Sequence, residues 1–346
     1  MSAGFPVPPP APRRRERWWL HGLLFFLTFT TTTYVGAGYA ANFWPALAPK
    51  FMIRYGDWIP LLFRPDLLAQ YRSVVDANLK LLAAGLWFSV PLLAILLSHE
   101  MGHYFMCRRY GIDASPPYFL PFPSLLGTIG AFIRIREPIR KKAQLFDIGV
   151  AGPIAGFIVT LPLLLFGILQ TRAIHQQPIQ SGSTYFEYPF LITLFQQIFL
   201  GKTFSTFDVA EHPTFMAAWA GLLVTAFNLI PLAQLDGGHA LHAVVGERQH
   251  RMAPLIIAAL VVLGFNFYTW WVVAGVVIVL YVLRRAHPSV EDEYAPLDRK
   301  RLRTAIVVLI MFAVCFTPAP VRFGTADGTL SPSPQIPEES VSPSRA

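Results

Sequence analysis

The sequence predicts an all-α polytopic membrane protein of about six to seven transmembrane helices, with one small membrane-associated β element between two of them. Three observations carry that reading. Of the 346 residues, 54% are hydrophobic and only 14% charged, whereas soluble domains carry about 25% charged residues. Apolar runs approaching the roughly 20 residues needed to cross hydrocarbon recur along the chain. Lys and Arg cluster beside those runs, the pattern that sets orientation in a bilayer.

Taken in order, residues 1–12 are rich in Pro and Ala and predict a disordered tail, since they offer too little apolar area to offset the entropy of ordering. Arg13, Arg14, Arg15 and Arg17 then precede an apolar stretch over 18–40. Its length and the lack of a convincing small-residue cleavage site predict a retained first span, not a signal peptide. Further spans are expected near 82–106, 146–170, 214–233, 254–266, 269–284 and 302–317. The stretches 254–266 and 269–284 are short, and read as one bent helix or a tight hairpin.

Between the second and third spans, the proline-rich run Pro116 to Pro123 excludes helix, and 127–136 reads as a strand. Asp147 begins the third span among apolar neighbours, where a carboxylate can cap a helix. Residues 171–213 form a loop on the opposite side, in which 189–200 is expected to lie on the membrane as an amphipathic helix. The final stretch, 318–346, is rich in Pro, Ser and Glu and predicts a second disordered tail. The expected organisation is thus one membrane unit over 13–317 between two disordered tails.

The formal net charge of +8 comes from basic clusters flanking spans, so it marks topology and excludes nucleic acid as the expected partner. Alternating crossings put the arginines before the first span, Arg108 and Arg109, Arg134 to Lys142, Arg248 and Arg251, Arg284 and Arg285, and Lys300 to Arg303 all on the cytoplasmic side, provided that 254–284 goes out and back. The same alternation favours the hairpin and puts the C-terminal tail outside. Cys107 and Cys315, the only cysteines, allow neither a disulfide framework nor a multi-cysteine metal site, and read as buried bystanders.

The chemistry sits at the end of the second span, where His99-Glu100-Met101-Gly102-His103 forms an H-E-x-x-H pattern. A segment in hydrocarbon has no backbone partner but its own ladder, so this one must be helical. Residues four apart are displaced by about 40° around the axis and about 6 Å along it, so both imidazoles can reach one ion. Glu100 lies beside that face, placed to take a proton from water as a general base. Ionisable groups within a span cost roughly 2.5 to 3.5 kcal/mol each, so three of them in five residues imply a partner such as a metal.

A catalytic zinc site keeps three protein ligands and one open position, so a third ligand must come from elsewhere. The stretch from Asn228 through Pro231 to Leu235-Asp236-Gly237-Gly238-His239 places a carboxylate at the end of the fourth apolar run, on the predicted side of His103. His239 and His242 follow within two turns and could also ligate. Position favours Asp236, and His239 could instead bond a ligand or the scissile carbonyl. His21, His175, His212, His250 and His287 lie near interfaces or in loops and carry no expected chemistry. Glu291-Asp292-Glu293 reads as a solvated cytoplasmic loop.

At this point the sequence resembles the site-2 protease family of intramembrane zinc metalloproteases, whose H-E-x-x-H and N-x-x-P-x-x-x-L-D-G motifs both occur here in the same order. The resemblance covers about residues 80–245. It implies that His99, His103 and Asp236 hold one zinc ion, that Glu100 is the catalytic acid/base and that Asn228 contacts substrate or oxyanion. Gly152-Pro153-Ile154-Ala155-Gly156 is similar to the family's glycine-rich element, read here as close helix packing with substrate contact as the minor alternative. The family also carries a membrane-associated β element between the two metal-ligand helices, whose edge could take up an unwound substrate as an extra strand.

The implied activity is hydrolysis of peptide bonds in transmembrane protein substrates near the cytoplasmic side of a bilayer, with membrane lipid as the other partner and a bacterial inner membrane as the expected setting. Three other classes are weighed against it. A metal-ion transporter needs ligands lining a path across the bilayer, whereas the polar residues here gather at one depth. A di-iron oxidase or desaturase needs several histidine boxes, and one is present. A catalytically inactive relative would lack part of the constellation, which is intact.

Overall fold

The computed structural model describes residues 16–48, 64, 72–174, 183–204, 209–232, 235–246, 248–267, 269–283, 296–325 and 329–331. The tail 1–12, Arg13 to Arg15, His175, Arg284, Arg285, His287 and Glu291-Asp292-Glu293 lie outside these residues, as does 332–346 of the second tail.

Helix α1 (Trp18–Phe43) opens the chain. Two of its threonines return their hydroxyls to the helix: Thr30 Oγ1 donates to Phe26 O at 2.8 Å, and Thr32 Oγ1 to Thr28 O at 2.8 Å. Such back-bonding leaves few polar groups to solvate. Helix α2 (Arg72–Arg109) follows, with Pro91 inside it. The two helices meet where neither carries a side chain, since a Cβ on Gly36 would sit 2.4 Å from the Gly85 carbonyl oxygen. Beside that contact Thr33 Oγ1 donates to Ser89 Oγ at 2.9 Å.

Strands β1 (Tyr118–Pro121) and β2 (Thr128–Phe132) form an antiparallel hairpin, Tyr118 opposite Phe132 and Leu120 opposite Gly130, with an irregularity at Pro121. The proline-rich half that was expected only to avoid helix is therefore itself a strand; proline is tolerated there because the ladder breaks at it. Helix α3 (Lys142–Gln170) starts earlier than the expected 146, with Lys141 at its N-cap. Asp147 is thus inside the helix and is no cap. It pairs instead with Arg301 and accepts a hydrogen bond from the Tyr110 hydroxyl.

Beyond α3 come β3 (Arg172–Ala173), β4 (Thr184–Phe186), α4 (Phe190–Leu200), β5 (Val209–Ala210) and α5 (Pro213–Asn228). The expected span 214–233 ends as helix at Asn228: Leu229 to Leu232 turn, and α6 (Asp236–Val245) begins a new helix on Asp236. Pro231 lacks an N–H and cannot continue the ladder. Helices α7 (Arg248–Asn266) and α8 (Thr269–Leu283) form a hairpin, with Phe265 and Trp271 edge to face at 4.9 Å. Helix α9 (Arg299–Cys315) leads to β6 (Val321–Gly324) and β7 (Leu330–Ser331).

Among the described residues, α2 and α3 are the two helices that combine the length and apolarity to cross a membrane. Helix α1, with 26 residues, has the length but is diluted by its threonine run. The core between α2, α3 and α5 buries Phe88, Leu92, Leu164, Phe215 and Trp219. Helix α4 packs Leu191, Ile192 and Gln196 inward and leaves Phe190, Ile198 and Phe199 exposed.

At the end of the bundle away from residues 99–103, β6 pairs antiparallel with β4, Tyr185 opposite Arg322, and with β7. Part of the stretch expected to be disordered over 318–346 is therefore ordered as strand. Its partner is the loop over 171–213, so the two segments share one end of the molecule. The same end holds β3 against β5, and there His212 Nδ1 accepts from the Thr214 amide at 3.2 Å to cap α5.

Candidate active site

Helix periodicity places His99 and His103 one turn apart on α2, facing α3 and both buried, at 4% and 8% exposure. Their rings fit because α3 presents glycine to them. A Cβ on Gly152 would fall 2.1 Å from His103 Nε2, and one on Gly156 would lie 3.2 Å from His99 Cβ. A Cβ on Gly102 of α2 would likewise fall 2.4 Å from the Ala151 carbonyl oxygen, so the helices approach backbone to backbone. The glycine-rich element thus packs as expected, and it packs against the two imidazoles in particular.

The tautomer of His103 is set by its surroundings. Its Nδ1 lies 2.7 Å from the Ile148 carbonyl on α3. A carbonyl can only accept, so Nδ1 carries the hydrogen and the lone pair of Nε2 points the other way. There it meets His99 Nε2 at 3.2 Å and Asp236 Oδ1 at 3.4 Å, while Asp236 Oδ2 lies 3.1 Å from His99 Nε2. Asp236 reaches this point because α6 begins on it, and α6 can begin there because Gly237 leaves room: a Cβ would stand 2.1 Å from the Leu229 carbonyl oxygen.

These separations test whether the donors suit a metal ion. Donors held about 2.0–2.1 Å from an ion in tetrahedral geometry stand about 3.4 Å apart, close to the 3.1, 3.2 and 3.4 Å found here. Hydrogen bonds alone satisfy the triangle poorly, since His103 spends its hydrogen on Ile148 and one further N–H cannot serve three pairs. Two imidazole nitrogens and a carboxylate are a donor set suited to zinc. Among the described residues this is the one group of three or more His, Cys, Asp or Glu that could hold a metal, and neither His239 nor His242 joins it.

Glu100 stands next to His99 at 7% exposure, with the Ile133 backbone amide, just past β2, directed at its carboxylate. The hairpin therefore ends at the carboxylate flanking the ligand triangle. Asn228, the last residue of α5, puts Nδ2 3.3 Å from His99 Nε2. All five residues singled out in the sequence (His99, Glu100, His103, Asn228 and Asp236) come together, from α2, α5 and α6.

Three participants were not legible in the sequence. The Ile148 carbonyl and the Ile133 amide are backbone groups, on which side-chain identity has no bearing. The pairing of Asp147 with Arg301 joins residues far apart in the chain, and only the oppositely charged residues expected near the same membrane face hinted at it.

The chain is similar to several known proteins. A family model described as Peptidase family M50 matches residues 87–269. A relative from Arabidopsis thaliana, named probable zinc metalloprotease EGY2, chloroplastic, is 29% identical over 262 residues, covering 75% of this chain and 46% of that protein. The Arabidopsis thaliana protein named probable zinc metalloprotease EGY1, chloroplastic, is 29% identical over 265 residues, 76% of this chain and 44% of its own length. A zinc metalloprotease of Methanocaldococcus jannaschii is 25% identical over 189 residues, 54% of this chain and 43% of its own. The chain spans about half the length of the curated relatives it matches. A family match over more than half of the sequence, with the whole ligand triangle inside it, decides the matter of kinship: the chain belongs to peptidase family M50.

Proposed function

We propose that the protein is an intramembrane zinc metalloendopeptidase that hydrolyses peptide bonds of transmembrane protein substrates near the cytoplasmic side of the bilayer. The observation that carries this reading is the triangle of His99, His103 and Asp236 donors, spaced for one ion, with Glu100 buried beside it. The names of the relatives, zinc metalloproteases in both plant and archaeal proteins, support zinc as the ion.

Zinc, when bound there, supplies Lewis acidity toward the scissile carbonyl and toward water. The chain's own residues do the rest. Glu100 accepts the proton of the attacking water and returns it to the leaving amine nitrogen. Asn228 Nδ2 donates toward the carbonyl oxygen as negative charge develops on it. The Ile148 carbonyl keeps His103 in the tautomer that leaves Nε2 free.

A transmembrane helix hides its amides in its own ladder, so a substrate must unwind before it reaches Glu100. The hairpin beside that carboxylate supports pairing of the unwound segment along β2 as an added strand. The protein is read as a multi-pass membrane protein of six to seven spans with the site toward the cytoplasm, and a bacterial inner membrane remains the setting inferred from the sequence. A metal-ion carrier is the rival class.

One experiment separates the two classes. Purified protein in liposomes should cleave a membrane-spanning reporter, and Glu100→Gln should lower turnover by about 10²–10⁴-fold, the usual worth of a general base, with zinc still bound. Full turnover by the variant, or zinc uptake into the vesicles without cleavage, would overturn the reading.

A further inference from the structure

Outside the triangle of His99, His103 and Asp236, one partly buried charged network adjoins the start of α3. Arg301, in the first turn of α9, donates Nε to Asp147 Oδ1 at 2.8 Å and a terminal nitrogen to Oδ2 at 2.6 Å. The side chains are 24% and 19% exposed. The Tyr110 hydroxyl, just past the end of α2, donates to the same Oδ2. Asp298 fixes Arg301 from the other side, accepting from its backbone amide at 2.8 Å and pairing with its guanidinium.

Asp147 is therefore a node joining α2, α3 and α9, and the next residue in the chain is Ile148, whose carbonyl holds His103 Nδ1 at 2.7 Å. A forked Arg–carboxylate pair is directional and resists rotation of the helix that carries it. Arg301 also lies beyond the family match over 87–269, so this support comes from a part of the chain that the family match does not cover.

We propose that Arg301 is a positioning residue for His103: by clamping Asp147 it fixes the azimuth of the first turns of α3, and with it the carbonyl that orients the His103 imidazole. The inference rests on the proposed zinc reading. Groups that orient a metal-ligating histidine typically change metal affinity by about 10–100-fold when removed. Arg301 acts one residue further away, so the lower end of that range applies.

The test is competition of zinc between a calibrated chelator and purified full-length protein, for wild type, Arg301→Ala, Asp147→Asn, the double variant and Arg301→Lys. The second readout is the side-chain nitrogen spectrum of ¹⁵N-histidine-labelled protein without metal, which reports the His103 tautomer. Arg301→Ala and Asp147→Asn should each weaken zinc binding by about tenfold, the double variant no further, and Arg301→Lys should recover part of the loss. The His103 signal should move from the Nδ1–H tautomer toward a mixture in Arg301→Ala. Wild-type affinity and an unchanged tautomer in Arg301→Ala, even with a lowered thermal midpoint, would make the pair a mere tether and overturn the proposal. If Arg301→Ala does not fold, the same comparison of Arg301→Lys with wild type decides it: undiminished affinity refutes the clamp. Failure of the wild type itself to bind zinc would instead defeat the underlying functional reading.

Discussion

His103 is oriented by a carbonyl on one side and crowded by a glycine on the other, and both constraints come from α3. Gly152 leaves the ring just enough room, because a methyl there would overlap Nε2 at 2.1 Å. The obstacle is a ring held in place by its bond to the Ile148 carbonyl, and it carries the nitrogen proposed to bind the metal. Gly152→Ala should therefore lower zinc affinity by at least about tenfold, through displacement of a ligand, with helical content retained. Gly22→Ala, at a position with nothing within 4 Å, is the matched control and should bind zinc as wild type does. Chelator competition with circular dichroism checks both; equal affinity in the two variants would mean that α3 gives way without cost. At this scale the sequence was informative where chemistry depends on side-chain type at helical spacing, as for His99, Glu100 and His103. It was uninformative for Ile148, whose contribution is a main-chain oxygen, and it made Gly152 a generic packing residue when its specific neighbour is an imidazole.

At the scale of elements, apolar runs located the helices but not where they stop. The run over 214–233 reads as one span because Leu229, Ile230 and Leu232 are apolar, yet those residues are buried in a turn and need no ladder to leave water. The break puts Asp236 at the head of α6 instead of on the tail of α5. The proline-rich half of the hairpin was missed as a strand because its partner, 128–132, supplies the pairing that local propensity withholds.

Helix α5 also carries a testable cap. His212 is buried among the rings of Phe43, Trp44, Trp87 and Phe166 at 5.0, 5.3, 5.5 and 5.6 Å. Burial, and then the charge of Arg172, push its pKa down to about 4. A histidine with a lowered folded-state pKa binds fewer protons folded than unfolded between about pH 6.5 and 4, so its stabilising share is complete above that window and is lost as pH falls through it. The thermal midpoint in detergent should accordingly drop from pH 6.5 to 4, and His212→Gln, which cannot titrate, should show a shallower decline. Parallel curves for the two proteins would remove His212 from the account.

Across the whole molecule the two ends of the bundle do different work. One end is closed by paired strands: β3 with β5 joins the two ends of the loop over 171–213, and β4 with β6 ties that loop to the C-terminal segment. The alternation of basic clusters predicted both segments on one face; the structure pairs β4 with β6 at one end of the bundle. The ordering of 321–324 was hidden because Val321-Arg322-Phe323-Gly324 is short and sits next to a stretch rich in Pro, Ser and Glu, and its strand partner lies far away in sequence. The other end gathers donors from α2, α5 and α6 with the hairpin alongside, and that convergence of separate helices on one point is what every functional statement depends on.

The most direct test of that convergence is the metal content of purified protein by elemental analysis, comparing wild type with Asp236→Asn. The account predicts one zinc per wild-type chain and a marked loss in the variant, with His99 and His103 alone holding the ion weakly. A variant that keeps wild-type stoichiometry after dialysis against chelator would contradict it.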